Sequence, residues 1–109
     1  MRTKKISLEI PDYCNQDEQK IIIEGKTINL GKVITYNWTD GYIIKVENLE
    51  DEFAIIANKE GLISLANHCL NLAQEGIPNG SHIHFDDGNS LKEGSFPLII
   101  ERDDSLTNE

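Results

Sequence analysis

The segment His82-Ile83-His84-Phe85-Asp86 holds the residues whose types and spacing are best suited to chemistry. Side chains along a strand alternate between its two faces, so the two histidines and the aspartate share one face. Two imidazoles and a carboxylate suit Zn²⁺ or Fe²⁺, with one further ligand or a water completing the site. The same alternation describes an ordinary strand with one polar, solvent-facing side. A small metal-binding protein is therefore one hypothesis for this chain.

Other catalytic chemistry finds little support in the sequence. Cys69 falls on the apolar side of a predicted helix, which indicates a buried thiol, and Cys14 lies in an acidic loop that disfavours the thiolate. No GxSxG nucleophile motif and no glycine-rich phosphate-binding motif occurs. We therefore expect a protein that is not an enzyme, and no cofactor is indicated. Two widely spaced cysteines fit a reducing compartment, so we expect the chain in the cytoplasm.

Charge is distributed unevenly along the chain. The 109 residues hold 10 Lys and Arg against 19 Asp and Glu, a net charge of -9. Residues 1–46 carry +1 and residues 47–109 carry -10, so the acidity belongs to the second half. This sign argues against nucleic acid or an anionic membrane as partner, and no apolar stretch approaches the roughly 20 residues of a membrane span. A cationic protein partner is favoured instead.

The candidate partner-binding residues are two groups of acids and two aromatic residues beside a predicted turn at Asp40-Gly41. An acidic patch accelerates the encounter with a basic partner, and Trp and Tyr are favoured at binding hot spots. Repelling charges can equally mark a solvated loop, and aromatics beside a turn can equally be packing. The candidates are Glu47, Glu50, Asp51, Glu52, Asp86, Asp87, Trp38 and Tyr42.

Short strands and one helix would position these residues. Because neighbouring strands tend to pair, we expect an α+β fold: a mostly antiparallel sheet of about five to seven short strands, with one amphipathic helix, about 59–75, packed on one face. We expect a single domain over residues 1–109, with 103–109 as a frayed tail. Candidate strands cover residues 5–10, 20–24, 27–30, 32–38, 42–46, 53–57, 81–86 and 96–101.

The helix is predicted from its ends and its periodicity. Asn58 is a good N-cap, and Gly76 and Pro78 are typical of a helix end. Helical spacing divides the segment into an apolar side, expected to pack on the sheet, and a polar side. The apolar side holds Leu62, Leu65, Ala66, Cys69, Leu70, Leu72 and Ala73, and the polar side holds Ser64, Asn67, Asn71, Gln74 and Glu75.

Three stretches of the second half carry a family resemblance. They are FAIIANKEGLISLA at 53–66, GSHIHFD at 80–86, and LKEGS at 91–95 followed by LIIE at 98–101. Together they resemble the immunity protein 32 family of bacterial polymorphic toxin systems over about residues 53–102. The resemblance implies an α+β, non-enzymatic protein that binds the effector domain of a cognate toxin and blocks it. It carries over no contact residues.

Charge and resemblance together predict an immunity protein that neutralises a toxin domain, a nuclease being the natural guess, through an acidic surface. Two alternatives stay open. One is the metal-binding protein that uses His82, His84 and Asp86, and the other is a structural or regulatory subunit. The sequence indicates no particular oligomeric state.

Overall fold

The structure, a computed structural model, describes residues 2–108. Within this range the regular elements are six short strands, one α-helix and a 3-10 turn at Tyr13–Asn15. The helix, α1, spans Lys59–Ala73 and ends two residues before its predicted end. The strands are β1 (Gln19–Ile23), β2 (Lys26–Gly31), β3 (Ile44–Leu49), β4 (Glu52–Ala57), β5 (His82–Phe85) and β6 (Leu98–Glu101).

The strands form three antiparallel pairs, β1 with β2, β3 with β4 and β5 with β6. The predicted α+β class and the antiparallel pairing are confirmed, although the pairs are three separate two-stranded sheets and not one continuous sheet. The candidate strands at 5–10 and 32–38 are irregular. The strand expected to pair with 32–38 across the Asp40-Gly41 turn is β3, and it pairs with β4 instead.

The first hairpin, β1 with β2, projects from the rest of the molecule. Every residue of β1 is exposed, and so is every residue of β2 except Gly31. The Cα radius of gyration is 16.9 Å, larger than the roughly 13 Å typical of a compact chain of about this length. The molecule is correspondingly elongated, with extents of 53 × 37 × 35 Å.

The hydrophobic core lies between α1 and the two later hairpins. Ile44 and Val46 of β3 pack with residues of β5, the helix and the loop that follows β5. The tyrosines at 36 and 42 are half-buried against this cluster. The buried residues of this cluster are Ile44, Val46, Leu72, Ile83, Phe85 and Leu91.

The helix buries the side that was expected to face solvent. Leu62 is 56% exposed and Leu70 is 47% exposed, while only the edge of the apolar stripe, at Leu65 and Leu72, reaches the core. The prediction that the apolar side of the helix packs on the sheet is therefore wrong. The buried helix residues are Gly61, Ser64, Asn67, His68, Asn71 and Leu72.

Irregular chain from the first half explains this orientation. Backbone groups outside helices and strands must find hydrogen-bond partners when they are buried. Ser64 Oγ accepts from Thr39 N at 2.9 Å, and Asn71 Nδ2 donates to Thr35 O. Gln74 Oε1 accepts from Tyr13 N at 3.0 Å. Ser64 and Asn71 on the polar side of α1, together with its C-cap residue Gln74, thus hold irregular parts of the first half against the helix.

Candidate partner-binding surface

The HxHxD strand has the alternation predicted for it. Ile83 and Phe85 are buried while His82 and His84 are exposed, with ring centroids 4.9 Å apart. Asp86 follows the strand, and its Oδ1 accepts from Gly88 N at 2.9 Å. Within residues 2–108 no three His, Cys, Asp or Glu side chains are grouped closely enough to hold a metal ion. The metal-binding hypothesis gains no support from the geometry and stays a prediction.

Both cysteines are free and exposed. The prediction of a buried Cys69 thiol is wrong because α1 turns its apolar stripe, Cys69 included, towards solvent. Cys14 lies beside the C-terminal end of the helix, where its Sγ donates to Glu75 O at 3.2 Å.

The first group of predicted acids forms the tip of the β3–β4 hairpin. Glu47 lies within β3 and forms an ion pair with Lys45. Glu50 and Asp51 form the turn, and Glu52 begins β4. All three of these later acids are exposed, and none has an ion-pair partner within residues 2–108. We call Glu47, Glu50, Asp51 and Glu52 the acidic tip.

The second group of predicted acids, Asp86 and Asp87, lies in the loop after β5. The loop continues along the outer edge of β3, where Lys92 N donates to Ile44 O at 2.8 Å and Phe96 N donates to Val46 O at 2.8 Å. Asp87 Oδ2 accepts from Gly94 N at 3.4 Å, which ties the acids to this edge segment. The structure therefore places the first acid group at the turn of the β3–β4 hairpin and the second in the loop that runs along the outer edge of β3.

The predicted aromatic anchors, Trp38 and Tyr42, pack mainly against each other and the core. Their ring centroids are 4.4 Å apart, and the Trp38 ring lies 4.2 Å from that of His68. Trp38 is 37% exposed, so one part of the indole reaches solvent. Tyr42 lies just before β3, and the turn of the acidic tip lies just after it. Strand β3 has six residues and is about 17 Å long, so this distance separates the aromatic pair from the turn.

His68 is the one histidine that the structure encloses among aromatic rings. It is fully buried, with the Tyr36 ring centroid at 5.0 Å and that of Phe85 at 6.0 Å. Neither ring nitrogen has a hydrogen-bond partner within the described residues. Burial lowers the pKa of His68 from 6.5 to about 4, so the ring is neutral at physiological pH.

Exposed apolar residues beside the acidic tip were not predicted as binding residues. Phe53 is 66% exposed, and its ring centroid lies 5.6 Å from that of Phe96, which is 45% exposed. Ile55 and Ile99 are 47% and 55% exposed. The sequence contained a signal for this exposed apolar surface. A hairpin strand often has one polar, solvent-facing side, but the run from Phe53 to Ala57 is apolar on both faces.

Comparison with known families finds a match in the second half of the chain. Residues 52–103, just under half of the chain, match the family model described as Immunity protein 32. This segment is similar to the immunity protein 32 family. The resemblance predicted from the sequence is thereby confirmed, and the match supports an immunity function and the toxin partner that such a function implies. No curated protein and no solved structure matches the chain.

The immunity protein 32 segment contains the second half of the fold, from β4 through α1 and β5 to β6. Of the candidate binding residues, Glu52, Asp86 and Asp87 lie inside it. Trp38, Tyr42, Glu47, Glu50 and Asp51 precede it. No helix within residues 2–108 has the length and apolar character needed to cross a membrane.

Proposed function

We propose that this chain is an immunity protein that binds the effector domain of a cognate bacterial toxin and blocks it through the acidic tip. The observation that carries the proposal is the match of residues 52–103 to the immunity protein 32 family. Such a protein acts by occupying a surface of the toxin and needs no catalytic group of its own. We place its action in the cytoplasm, where unpaired thiols such as those of Cys14 and Cys69 are stable.

The electrostatics of the acidic tip favour a cationic groove on the toxin. Glu50, Asp51 and Glu52 are exposed side by side, and no lysine or arginine within residues 2–108 neutralises them. Opposite charge on the partner would steer the encounter and raise its rate by about 10- to 1,000-fold at low salt. A nuclease suits this surface best, because its substrate groove is built to attract phosphates and carboxylates could occupy the same places.

The loop acids would extend the same contact. Asp87 is exposed, and the backbone of its loop is fixed to β3 through the hydrogen bonds of Lys92 and Phe96. This loop is held on the outer edge of β3, the strand that leads into the acidic tip. Trp38, with its exposed part, stays a candidate contact at the other end of β3.

Charge reversal tests the acidic-tip contact. The variant Glu50→Lys, Asp51→Lys, Glu52→Lys is compared with Glu9→Lys, Asp17→Lys, Glu75→Lys, which makes the same change in net charge at three exposed acids elsewhere. Association with the effector domain encoded beside this gene is measured at low and physiological salt. We expect the first variant to lose at least about tenfold in association rate and most of its salt dependence, and the second to lose much less. Equal behaviour of the two variants would refute the acidic-tip contact.

A further inference from the structure

The β3–β4 hairpin has one edge that is covered by another segment of the chain and one edge that is not. Ile44 O and Val46 O accept from Lys92 N and Phe96 N, and Val46 N donates to Ser95 Oγ at 3.2 Å. The outer edge of β3 is thus covered by the segment 92–96. Strand β4 pairs with β3 alone, so its other edge has no neighbouring strand within residues 2–108.

The alternation of backbone groups along β4 shows which N–H and C=O groups lie at this free edge. Asn58 N donates to Ile43 O at 3.1 Å, in line with the register that sets Lys45 opposite Ile56. In an antiparallel pair, backbone groups point towards the partner strand at every second residue. The N–H and C=O groups of Phe53 and Ile55 therefore point away from β3, and neither residue forms another backbone hydrogen bond within the described chain.

The side chains at the free edge are also unusually apolar for a solvent-facing strand. Phe53 and Ile55 lie on the same face as Val46, according to their register. They line a groove of about 300 Å³ whose opposite wall is formed by residues 96–99. Natural sheet edges are normally protected by charges, proline or a covering segment. Here the charges stand only at the start of β4, in the acidic tip.

We propose that the free edge of β4 pairs with an extended strand of the toxin's effector domain, a mode of binding that rests on the proposed immunity function. The partner strand would supply backbone hydrogen bonds to Phe53 and Ile55 and an apolar side chain to the groove. Lysine or arginine next to that strand would face Glu50 and Asp51, which no cation within residues 2–108 neutralises. The inferred partner is therefore an extended strand, and not a helix, with an apolar side chain facing the groove and cationic residues beside it.

Ile55→Pro tests the backbone contact directly. Proline removes the outward N–H and leaves the hydrogen bonds between β3 and β4 in place, and edge strands tolerate it. Ile55→Thr is the matched control, because it shortens the same side chain but keeps the N–H. Affinity is measured for the effector domain encoded beside this gene. We expect Ile55→Pro to raise Kd at least about tenfold more than Ile55→Thr does.

Hydrogen exchange of the wild-type complex provides an independent readout if the proline variant does not fold. We expect the amides of Phe53 and Ile55 to exchange at least about tenfold more slowly when the effector domain is bound. Unchanged exchange at both amides, or equal affinity of a folded Ile55→Pro and Ile55→Thr, would overturn strand pairing while leaving the immunity function intact. No binding by the wild-type chain would overturn the proposed function itself.

Discussion

The imidazole of His68 lies edge-on against the indole of Trp38, with ring centroids 4.2 Å apart and an interplanar angle of 69°. The histidine is fully buried, and neither of its nitrogens has a hydrogen-bond partner within residues 2–108. A neutral ring can be accommodated there, but an imidazolium would lack both a counter-ion and an acceptor. His68 therefore couples folding to pH.

The free energy of unfolding should fall as the pH is lowered through the range from 6.5 to about 4. Burial lowers the pKa of His68 from 6.5 to about 4, so in this range the unfolded chain binds the proton that the folded chain excludes. The stabilisation from keeping His68 neutral is fully present above pH 6.5. Below the folded pKa of about 4 the protein has lost roughly 3 kcal/mol of it. Urea denaturation at pH 7.5 and pH 5.0 should show a loss of about 2 kcal/mol from this residue.

His68→Phe is the control for that effect. A phenyl ring keeps the aromatic packing and does not titrate, so the difference between the two pH values should shrink by about 2 kcal/mol. An unchanged difference in this variant would mean that other groups cause the pH dependence.

The orientation of α1 can be tested with two adjacent residues. Leu70 is 47% exposed, so Leu70→Lys should change the free energy of unfolding by no more than about 0.5 kcal/mol. Asn71 is buried, donates to Thr35 O and accepts from Gln74 Nε2 at 2.6 Å. Asn71→Leu should therefore cost about 2 kcal/mol or more, because buried polar groups lose their partners. Thermal or urea denaturation that ranks the two substitutions in the opposite order would contradict this orientation.

Gly61 is required where the first turn of α1 passes the start of β3. A Cβ on this residue would lie 2.5 Å from Ile43 O and 3.0 Å from the Cβ of Ala57. Alanine improves helix propensity by about 1 kcal/mol, but the contact with a backbone oxygen cannot be relieved by rotating a side chain. We expect Gly61→Ala to lower the free energy of unfolding by about 1–3 kcal/mol.

Ala66→Gly provides the comparison for Gly61→Ala, since Ala66 is an exposed position of the same helix. Its only expected effect is the loss of helix propensity, about 1 kcal/mol. Stabilisation by Gly61→Ala would show that the helix does not approach β3 this closely.

Local signals in the sequence predict the helix and six of the eight candidate strands, whereas the segments 5–10 and 32–38 form no strand. Asn58 caps the helix as expected, with its side chain accepting from Gly61 N at 2.8 Å. The β-branched run at Ile21–Ile23 forms β1, and the alternation at His82–Phe85 forms β5 with the expected faces. Each of these outcomes depends on residues within a few positions of one another, which is why periodicity and capping suffice.

Long-range contacts explain what the sequence does not predict. The buried side of α1 depends on two long-range hydrogen bonds: Ser64 accepts from Thr39, 25 residues away, and Asn71 donates to Thr35, 36 residues away. The apolar stripe of the helix has no comparable partner in the described chain, and periodicity alone cannot show which side meets the core. The exposed Phe53–Phe96 pair also depends on which strands meet, and composition does not determine that.

Growth protection tests the immunity function most directly. The effector domain of the protein encoded directly beside this gene is expressed in bacteria with and without this chain. We expect the domain alone to stop growth, and co-expression of the wild-type chain to restore it. The charge-reversed acidic tip should protect less well than the control with lysine at positions 9, 17 and 75. Continued toxicity in the presence of abundant, folded wild-type chain would contradict the proposed function.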